Sequence, residues 1–394
     1  MSCRGWTPRW ASRGRTARSR KETLMNGRER ALRALKFQPV DRVALMGGEI
    51  ESGETLSKLA GRDYWKAADQ REVAIQAFRN LGIDLLIHLL LPYSFEVEER
   101  SWDVETMFRY AKQRYPNVDA VVKEIYTYPT PEQVRKTYDR QAAYQIYLND
   151  AIDHDRMTGD DMLWLAGGFK AGVCKFMWYL DFGYMNYFTL LSDNKDIAHR
   201  LYQYSAECGH LQNEAISAAI IENELPPVIY VGEDLCYNNG LFVSPKLLDQ
   251  IYFPGLEYAL EPLVRAGIDI IWHCDGNVTP IVDRLLAMGV TGFQGFQEDA
   301  GVNLEMIVQK QTRNGRRPII LGSVQARGVL PFGSVEEVEK DVERCINIVG
   351  GESGYFLGPS AVIQPEAPIE NIRALYRHGM EYGKIPVRTL EEVN

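Results

Sequence analysis

The stretch IDIIWHCDGNVTPIVDRLLAMG, residues 268–289, sets the pattern from which the fold of this chain can be inferred. Its first six residues are mostly apolar and β-branched, which predicts a strand buried on both faces, and a polar turn follows. Thr279-Pro280 predicts the start of a helix, because proline is tolerated in the first helical turn. Gly289 predicts its end. A strand, a polar turn and a helix therefore follow one another directly.

The same order recurs through the second half of the chain. A strand is predicted at residues 228–232, and a helix that begins at Ser244-Pro245 runs to Arg265 and stops at Gly267. Further strands are predicted at residues 291–296, 318–323 and 354–360, with helices after Asn303, over residues 334–350 and after Pro368. At least five repeats indicate a parallel sheet covered by helices. A closed barrel and an open doubly wound sheet both agree with this order, but no GxGxxG motif supports a dinucleotide site.

The first half of the chain is less regular. Residues 26–37, NGRERALRALKF, predict an amphipathic helix, and residues 84–88 predict a buried strand. The stretch from about residue 91 to residue 168 is rich in Tyr, Asp and Pro, and we expect it to be an irregular elaboration over one face of the sheet. Since no low-complexity linker interrupts residues 25–394, we expect one domain there.

Residues 1–24 differ in composition from the rest. They are rich in arginine and contain one acidic residue, Glu22. They have no apolar core, so they are not a secretory signal. We expect a disordered basic extension, or an upstream stretch that precedes a true start at Met25. An organellar transit peptide is the other interpretation.

The overall composition excludes several classes of protein. A formal net charge of -9 argues against a general binder of nucleic acids or membrane surfaces, because phosphates repel such a surface. No apolar run is long enough to span a membrane. The six cysteines are scattered and form no CxxC pair, which indicates reduced thiols in a cytoplasmic protein. A small-molecule substrate is therefore expected, and a homodimer is compatible with the sequence.

Polar side chains gather where the predicted strands end. In a barrel these ends meet at one mouth, where chemistry takes place. The candidates for catalysis are Glu233, Asp234, His273 and Asp275, and the candidates for substrate binding are Gln297, Glu298, Ser323, Arg327 and Ser360. Each has a purely structural alternative: the aspartates could cap the next helix, and Arg327 could be a surface or ion-paired residue.

His273 and Asp275 should point to the same side of an extended backbone, whereas Cys274 points to the other. Together with a carboxylate from Glu233 or Asp234 they could bind a divalent metal, with zinc as the first expectation and manganese or iron as alternatives. The sequence leaves a metal-free site open as well. In that site Asp275 would orient His273 for proton transfer, and Arg327 would bind a substrate carboxylate.

Four blocks of the sequence resemble the uroporphyrinogen decarboxylase superfamily. They are RERALRALKFQPVDRVAL near the start, GEDLCYNNGLFVSPKLLDQIYFPGLE in the middle, HCDGNVTPIVDRLLAMGVTGFQ after it, and GYFLGPSAVIQPEAPIENIRAL near the end. The resemblance spans about residues 26–386. It implies a (β/α)8 TIM barrel, here with an N-terminal helical elaboration, and a site at its C-terminal mouth.

The chain departs from both well-known branches of that superfamily. The true decarboxylases carry an arginine-rich loop reading like RQAGRY, whereas the stretch after Val43 here reads LMGGEIESGETL. The corrinoid-linked methyltransferases hold zinc with a His-x-Cys pair and a distant Cys. His273 matches the first position, but Asp275 stands at the second and the third falls near Ala361.

Three functions therefore remain open at this stage. The first is metal-assisted methyl transfer between a small substrate and a corrinoid protein, using His273, Asp275 and Glu233 or Asp234. The second is cofactor-free decarboxylation of a porphyrinogen-like or smaller carboxylic acid. The third is a non-catalytic barrel that binds a tetrapyrrole or corrinoid. Fold-level likeness alone does not choose among them.

Overall fold

The structure, a computed structural model, describes residues 25–62, 70–89, 104–167, 172–350 and 353–384. The basic stretch of residues 1–24, for which we predict disorder, lies outside the described residues. The strands of the main sheet are β1 (Ala44–Gly47), β2 (Leu85–Leu86), β3 (Leu163–Trp164), β4 (Val228–Gly232), β5 (Asp269–His273), β6 (Gly292–Gln294), β7 (Ile319–Leu321) and β8 (Tyr355–Leu357). A short antiparallel hairpin, Cys236–Tyr237 with Gly240–Leu241, follows β4.

All eight strands of the main sheet are parallel, in the order β3-β2-β1-β8-β7-β6-β5-β4. This is the cyclic order of a TIM-type (β/α)8 barrel, as the resemblance to the uroporphyrinogen decarboxylase superfamily implies. One buried cluster joins alternate residues of the strands, and it includes Leu163 of β3 and Val228 of β4. The two ends of the sheet therefore face the same interior, and the sheet is curled.

Helices surround this sheet. Their bounds are Gly27–Leu35, Gly53–Leu59, Gln70–Asn80, Val104–Arg114, Val118–Thr127, Pro131–Thr137, Arg140–Thr158, Tyr179–Phe182, Tyr184–Asp193, Lys195–Glu222, Pro245–Ile251, Phe253–Arg265, Val282–Met288, Leu304–Val308, Val329–Phe332, Val335–Val349 and Ile369–Tyr382. Single 3-10 turns lie at Thr279–Ile281 and Glu298–Ala300. Within the part of the chain that the structure describes, no helix has the length and apolar character needed to cross a membrane.

The first helix covers the N-terminal end of the barrel. Ala31, Ala34 and Leu35 pack into the cluster that fills the barrel interior. On the same end, the buried carboxylate of Asp84 accepts hydrogen bonds from Arg30 (2.6 Å) and Arg42 (2.7 Å). The predicted amphipathic helix is thus confirmed, and its polar side takes part in a buried ion network.

Two of the predicted elements are wrong in detail. The helix expected from Ser244 to Arg265 is divided at Tyr252 into two helices. Pro254 explains the break, because a proline inside a continuous helix removes a backbone hydrogen bond and clashes with the preceding turn.

The stretch expected to be irregular, residues 91–168, is largely helical where it is described. Four helices lie between Val104 and Thr158, and β3 follows them. Its prolines misled the sequence prediction. Pro116 and Pro129 lie between helices, and Pro131 occupies the first turn of one, so none of these three described prolines interrupts a helix. The predicted N-terminal helical elaboration is therefore real, but more regular than we expected.

Candidate metal centre at the carboxyl ends of the strands

His273 is the last residue of β5, and its side chain faces the barrel mouth. Ile271, two residues earlier, belongs to the interior cluster, so the alternation of a strand places both residues on the same side. Across the sheet His273 pairs with Gly232 of β4. A β-carbon at position 232 would lie 2.2 Å from the His273 carbonyl oxygen. The local backbone therefore requires glycine there for the two strands to approach.

Asp234, His273 and Asp275 bring three potential ligand atoms together. Nε2 of His273 lies 3.9 Å from Oδ1 of Asp234 and 3.8 Å from Oδ1 of Asp275, and all three atoms lie within 4.8 Å of one another. These separations are too long for direct hydrogen bonds. Two ligand atoms on one zinc ion lie at most about 4.2 Å apart, twice the usual bond length. Both separations from Nε2 of His273 are below this limit, so the three residues form a possible site for a divalent ion.

Other polar groups hold the two aspartates in place. The backbone N–H of Asp275 donates to Oδ1 of Asp234 (2.9 Å), and Nε2 of Gln297 donates to Oδ1 of Asp275 (3.1 Å). Gln297 in turn accepts a hydrogen bond from the backbone N–H of Gly276 (2.8 Å). The predicted site residue Gln297 thus contacts a potential ligand and positions its carboxylate.

The other side of the His273 ring meets groups that the sequence analysis missed. Nδ1 of His273 lies 2.6 Å from Oε1 of Gln294, which also accepts a hydrogen bond from the hydroxyl of Tyr230 (2.8 Å). Nε2 of Gln294 donates to Oε2 of Glu49 (3.1 Å), and Oε1 of Glu49 lies 3.8 Å from Nε2 of His88. Glu49 follows β1 and His88 follows β2, so the rule that chemistry lies at strand ends would have pointed to both.

Burial and charge shift the pKa values of these groups in opposite directions. Burial lowers the pKa of His273, but Asp275, Asp234 and Glu49 raise it more, so the net shift is upward. Burial raises the pKa of Glu49 to about 7. Burial, with the charge of His273, lowers the pKa of His88 to about 3. The mouth thus favours a positive charge at His273 and a neutral ring at His88.

Glu233 lies outside this group, although we predicted it as a metal ligand. Its Oε2 accepts hydrogen bonds from the backbone N–H groups of Phe176 and Met177, both at 2.8 Å. Neighbouring residues of an extended chain point to opposite sides, so Glu233 turns away when Asp234 faces the mouth. Burial raises the pKa of Glu233 to about 7. Asp234 takes the third place in the candidate metal set.

The structure places the remaining predicted residues, Glu298, Ser323, Arg327 and Ser360, in the loops that follow β6, β7 and β8. Glu298 pairs with Arg344 (2.6 Å) and accepts a hydrogen bond from Ser323 (3.3 Å). Ser360 accepts a hydrogen bond from the backbone N–H of Ala326 (3.1 Å), and Arg327 is exposed. These contacts support the loops after β6, β7 and β8 rather than the group around His273.

An aromatic surface borders Asp234. The hydroxyl of Tyr179 donates to the backbone oxygen of Asp234 (3.3 Å), and its ring stacks on that of Tyr184 at 4.9 Å. Phe242 packs against both rings. Tyr237 packs against Phe242 and is 46% exposed, and Met185, which follows Tyr184 in the sequence, is 81% exposed. We call Tyr179, Tyr184, Met185, Tyr237 and Phe242 the aromatic rim.

Comparison with known families agrees with this architecture. The family model described as Uroporphyrinogen decarboxylase (URO-D) matches residues 26–382. The chain belongs to this family. No curated protein matches the sequence of this URO-D family member.

Among the solved structures that are similar to this URO-D protein is a methyltransferase from Methanosarcina mazei. It has a TM-score of 0.52 and 16% sequence identity, and the match covers 91% of this chain and 99% of that chain. At this level of identity the likeness shows a shared fold and nothing finer. The choice of reaction therefore depends on the site itself.

Proposed function

We propose that this URO-D family protein is an enzyme that transfers a methyl group from a small substrate to a corrinoid protein. A divalent metal, zinc in the first instance, would be held by Asp234, His273 and Asp275. The observation that carries the proposal is the convergence of one imidazole nitrogen and two carboxylate oxygens within 4.8 Å. A nitrogen and two oxygens suit zinc, manganese or iron with positions left for a substrate.

When bound, the ion would act as a Lewis acid on the oxygen from which the methyl group leaves. In this reaction the bond between the methyl carbon and the oxygen breaks, and the oxygen keeps the electron pair. The methyl group forms its new bond with the reduced cobalt of the corrinoid, which supplies two electrons, and the oxygen product takes up a proton. The three protein ligands would bind and orient the reacting group, and Gln297 would keep the carboxylate of Asp275 in place.

The aromatic rim supports the presence of a protein partner. Tyr237, which packs against Phe242, and Met185, which follows Tyr184 in the sequence, expose apolar surface, and exposed apolar surface is a common feature of protein–protein contact sites. A corrinoid protein has to approach the mouth closely, because the methyl group passes directly from substrate to cobalt. The exposed rim residues lie where such a partner would make contact.

Elemental analysis of protein purified without a metal-chelating tag tests the proposal. Wild type should carry about one equivalent of a divalent transition metal, as expected for a single site of this type. Asp275→Asn and Asp234→Asn should lose it. Asp299→Asn is the matched control, because Asp299 is an exposed acid on the same face of the barrel. Wild type that remains metal-free after incubation with zinc, manganese or iron would overturn the metal-assisted mechanism.

One observation favours a second candidate function, cofactor-free decarboxylation. The pKa of His273, although burial opposes it, is raised by Asp275, Asp234 and Glu49, and a protonated imidazole beside carboxylates is a suitable proton donor. Such an enzyme should release carbon dioxide from a porphyrinogen or a smaller acid after treatment with a chelator. Methyl transfer by the proposed route should instead be abolished by the chelator and restored by metal.

A further inference from the structure

Gln294 stands at the centre of the contacts beneath the candidate metal site. It is the last residue of β6, and 2% of it is exposed. Its amide oxygen meets Nδ1 of His273 and the hydroxyl of Tyr230, and its amide nitrogen meets Glu49. Every polar atom of this buried side chain therefore has a protein partner.

The chemistry of these partners determines how the amide is oriented. Above about pH 7, where the buried Glu49 is ionised, its carboxylate can only accept hydrogen bonds, so the group that faces it has to be the NH2 of Gln294. The amide oxygen then faces His273, and an amide oxygen can also only accept. Nδ1 of His273 consequently has to carry the hydrogen in the 2.6 Å contact.

A neutral imidazole holds one hydrogen, so a ring with hydrogen on Nδ1 has its lone pair on Nε2. Nε2 is the atom that lies 3.9 Å from Asp234 and 3.8 Å from Asp275. The chain of contacts from Glu49 through Gln294 thus presents a metal-binding lone pair to the two carboxylates. Metal-binding histidines commonly depend on a second hydrogen bond of this kind.

We propose that Gln294, oriented by Glu49, is a positioning residue that fixes the ring orientation and tautomer of His273. This inference rests on the proposed metal site, and it assigns roles to two residues that lie outside the set of candidate ligands. Tyr230 has a supporting role, because its hydroxyl fills the second acceptor position on the Gln294 oxygen.

The tautomer can be observed directly by NMR of protein labelled with nitrogen-15 at histidine. The sequence contains six histidines, so His273→Gln assigns the relevant signals. In metal-free wild type, at a pH where the ring is neutral, hydrogen should reside on Nδ1. Gln294→Met removes the acceptor at nearly constant volume, and the neutral ring should then populate the form with hydrogen on Nε2. Zinc affinity should fall about 10–100-fold, the range typical of such outer contacts.

A double exchange is the sharpest control. In Glu49→Gln with Gln294→Glu, the carboxylate stands next to His273 and the amide behind it, so every donor again meets an acceptor. In this protein the neutral ring should again carry hydrogen on Nδ1. Its zinc affinity should be at least about tenfold higher than that of Gln294→Met. Tyr230→Phe, which leaves the acceptor for Nδ1 in place, should keep the tautomer.

An unchanged tautomer and unchanged zinc affinity in Gln294→Met would overturn the proposal. If that variant does not fold, an Nε2–H ring in the double exchange overturns it equally, because a carboxylate cannot donate to Nδ1. A failure of this inference can be distinguished from a failure of the proposed function. The NMR measurement uses metal-free protein, whereas failure of the metal mechanism appears as wild type that binds no metal.

Discussion

Gly232 and His273 face each other across β4 and β5, and a β-carbon on Gly232 would lie 2.7 Å from the β-carbon of His273. Real β-carbon contacts are not this short, so any side chain at position 232 has to displace the histidine or separate the strands. The imidazole of His273 can therefore hold its position only because Gly232, at the end of β4, has no side chain.

We expect Gly232→Ala to disturb the metal site more than the fold. Overpacking of this kind costs about 1–3 kcal/mol of unfolding free energy. Zinc affinity should fall at least about tenfold, as it does when the surroundings of a ligand are altered. Isothermal titration with zinc and urea unfolding measure the two effects. Gly328→Ala is the control: it lies on the same face, and a β-carbon there meets only the flexible end of Gln325. Equal zinc affinity in Gly232→Ala and wild type would contradict the argument.

Asp84 should matter for stability and not for metal binding. Its carboxylate is buried at the N-terminal end of the barrel and accepts hydrogen bonds from Arg30, Arg42 and the backbone N–H of Leu45. Removing one partner of a buried ion pair costs about 3–5 kcal/mol, because the remaining charges stay buried. Asp84→Asn should lower the free energy of unfolding by about that amount, and the folded variant should still bind one metal. A loss of metal without a loss of stability would contradict the view that the N-terminal end of the barrel serves stability and the opposite mouth serves metal binding.

The stability of the fold should decrease in mild acid because of His154. Its ring is stacked on Trp164, and burial is the main cause that lowers the pKa of His154 to about 4 from an ordinary value of 6.5. Between these two values the unfolded chain binds more protons than the folded one. The stabilising effect of a neutral His154 is therefore complete above pH 6.5 and is lost progressively as the pH falls toward 4.

Urea unfolding at several pH values between 7 and 4.5 checks this expectation. His154→Gln should show a flatter dependence of stability on pH than wild type. His199→Gln, which changes an exposed histidine on the helix Lys195–Glu222, is the matched control and should follow the wild-type curve. If the unfolding free energy of His154→Gln depends on pH as steeply as that of wild type, other groups dominate acid unfolding.

Most strands and helices of the barrel are predictable from the sequence, because the strands are apolar runs and the helices begin and end at recognisable residues, whereas the choice of a barrel over an open sheet depends on the family resemblance. Ser334 and Gly289, for example, cap helices where their types predict it. Pro254 divides one expected helix, and the Tyr, Asp and Pro content of residues 91–168 predicts an irregular chain where Pro116 and Pro129 in fact separate helices. Proline often marks an interruption, but Pro262 lies inside the helix Phe253–Arg265, so the residue type alone does not say where an element ends.

The candidate site was only partly predictable for a different reason. Alternation along a strand predicts that His273 and Asp275 share a side, but it cannot choose between Glu233 and Asp234 without the exact register at the end of β4. Glu49 and Gln294 were missed because their roles depend on contacts between strands that lie far apart in sequence. Glu49 and Gln294 are separated by 245 positions, and the curled sheet brings them together.

The position of Cys274 makes a spectroscopic prediction about the metal. Cys274 lies between His273 and Asp275 in the sequence, but its Sγ accepts a hydrogen bond from the backbone N–H of Leu235 (3.4 Å) and its side chain is buried in the core outside the barrel. Burial also raises the pKa of this thiol, so it is poorly suited to become a thiolate ligand.

Protein loaded with cobalt(II) should therefore lack the intense near-ultraviolet band that arises from charge transfer between thiolate and cobalt. Its visible spectrum should indicate nitrogen and oxygen ligands alone. Cys274→Ala should leave that spectrum and the cobalt affinity unchanged, whereas Asp275→Asn should weaken both. A thiolate band that disappears in Cys274→Ala would require the loop after β5 to rearrange when metal binds, and it would replace Asp275 with sulfur in the ligand set.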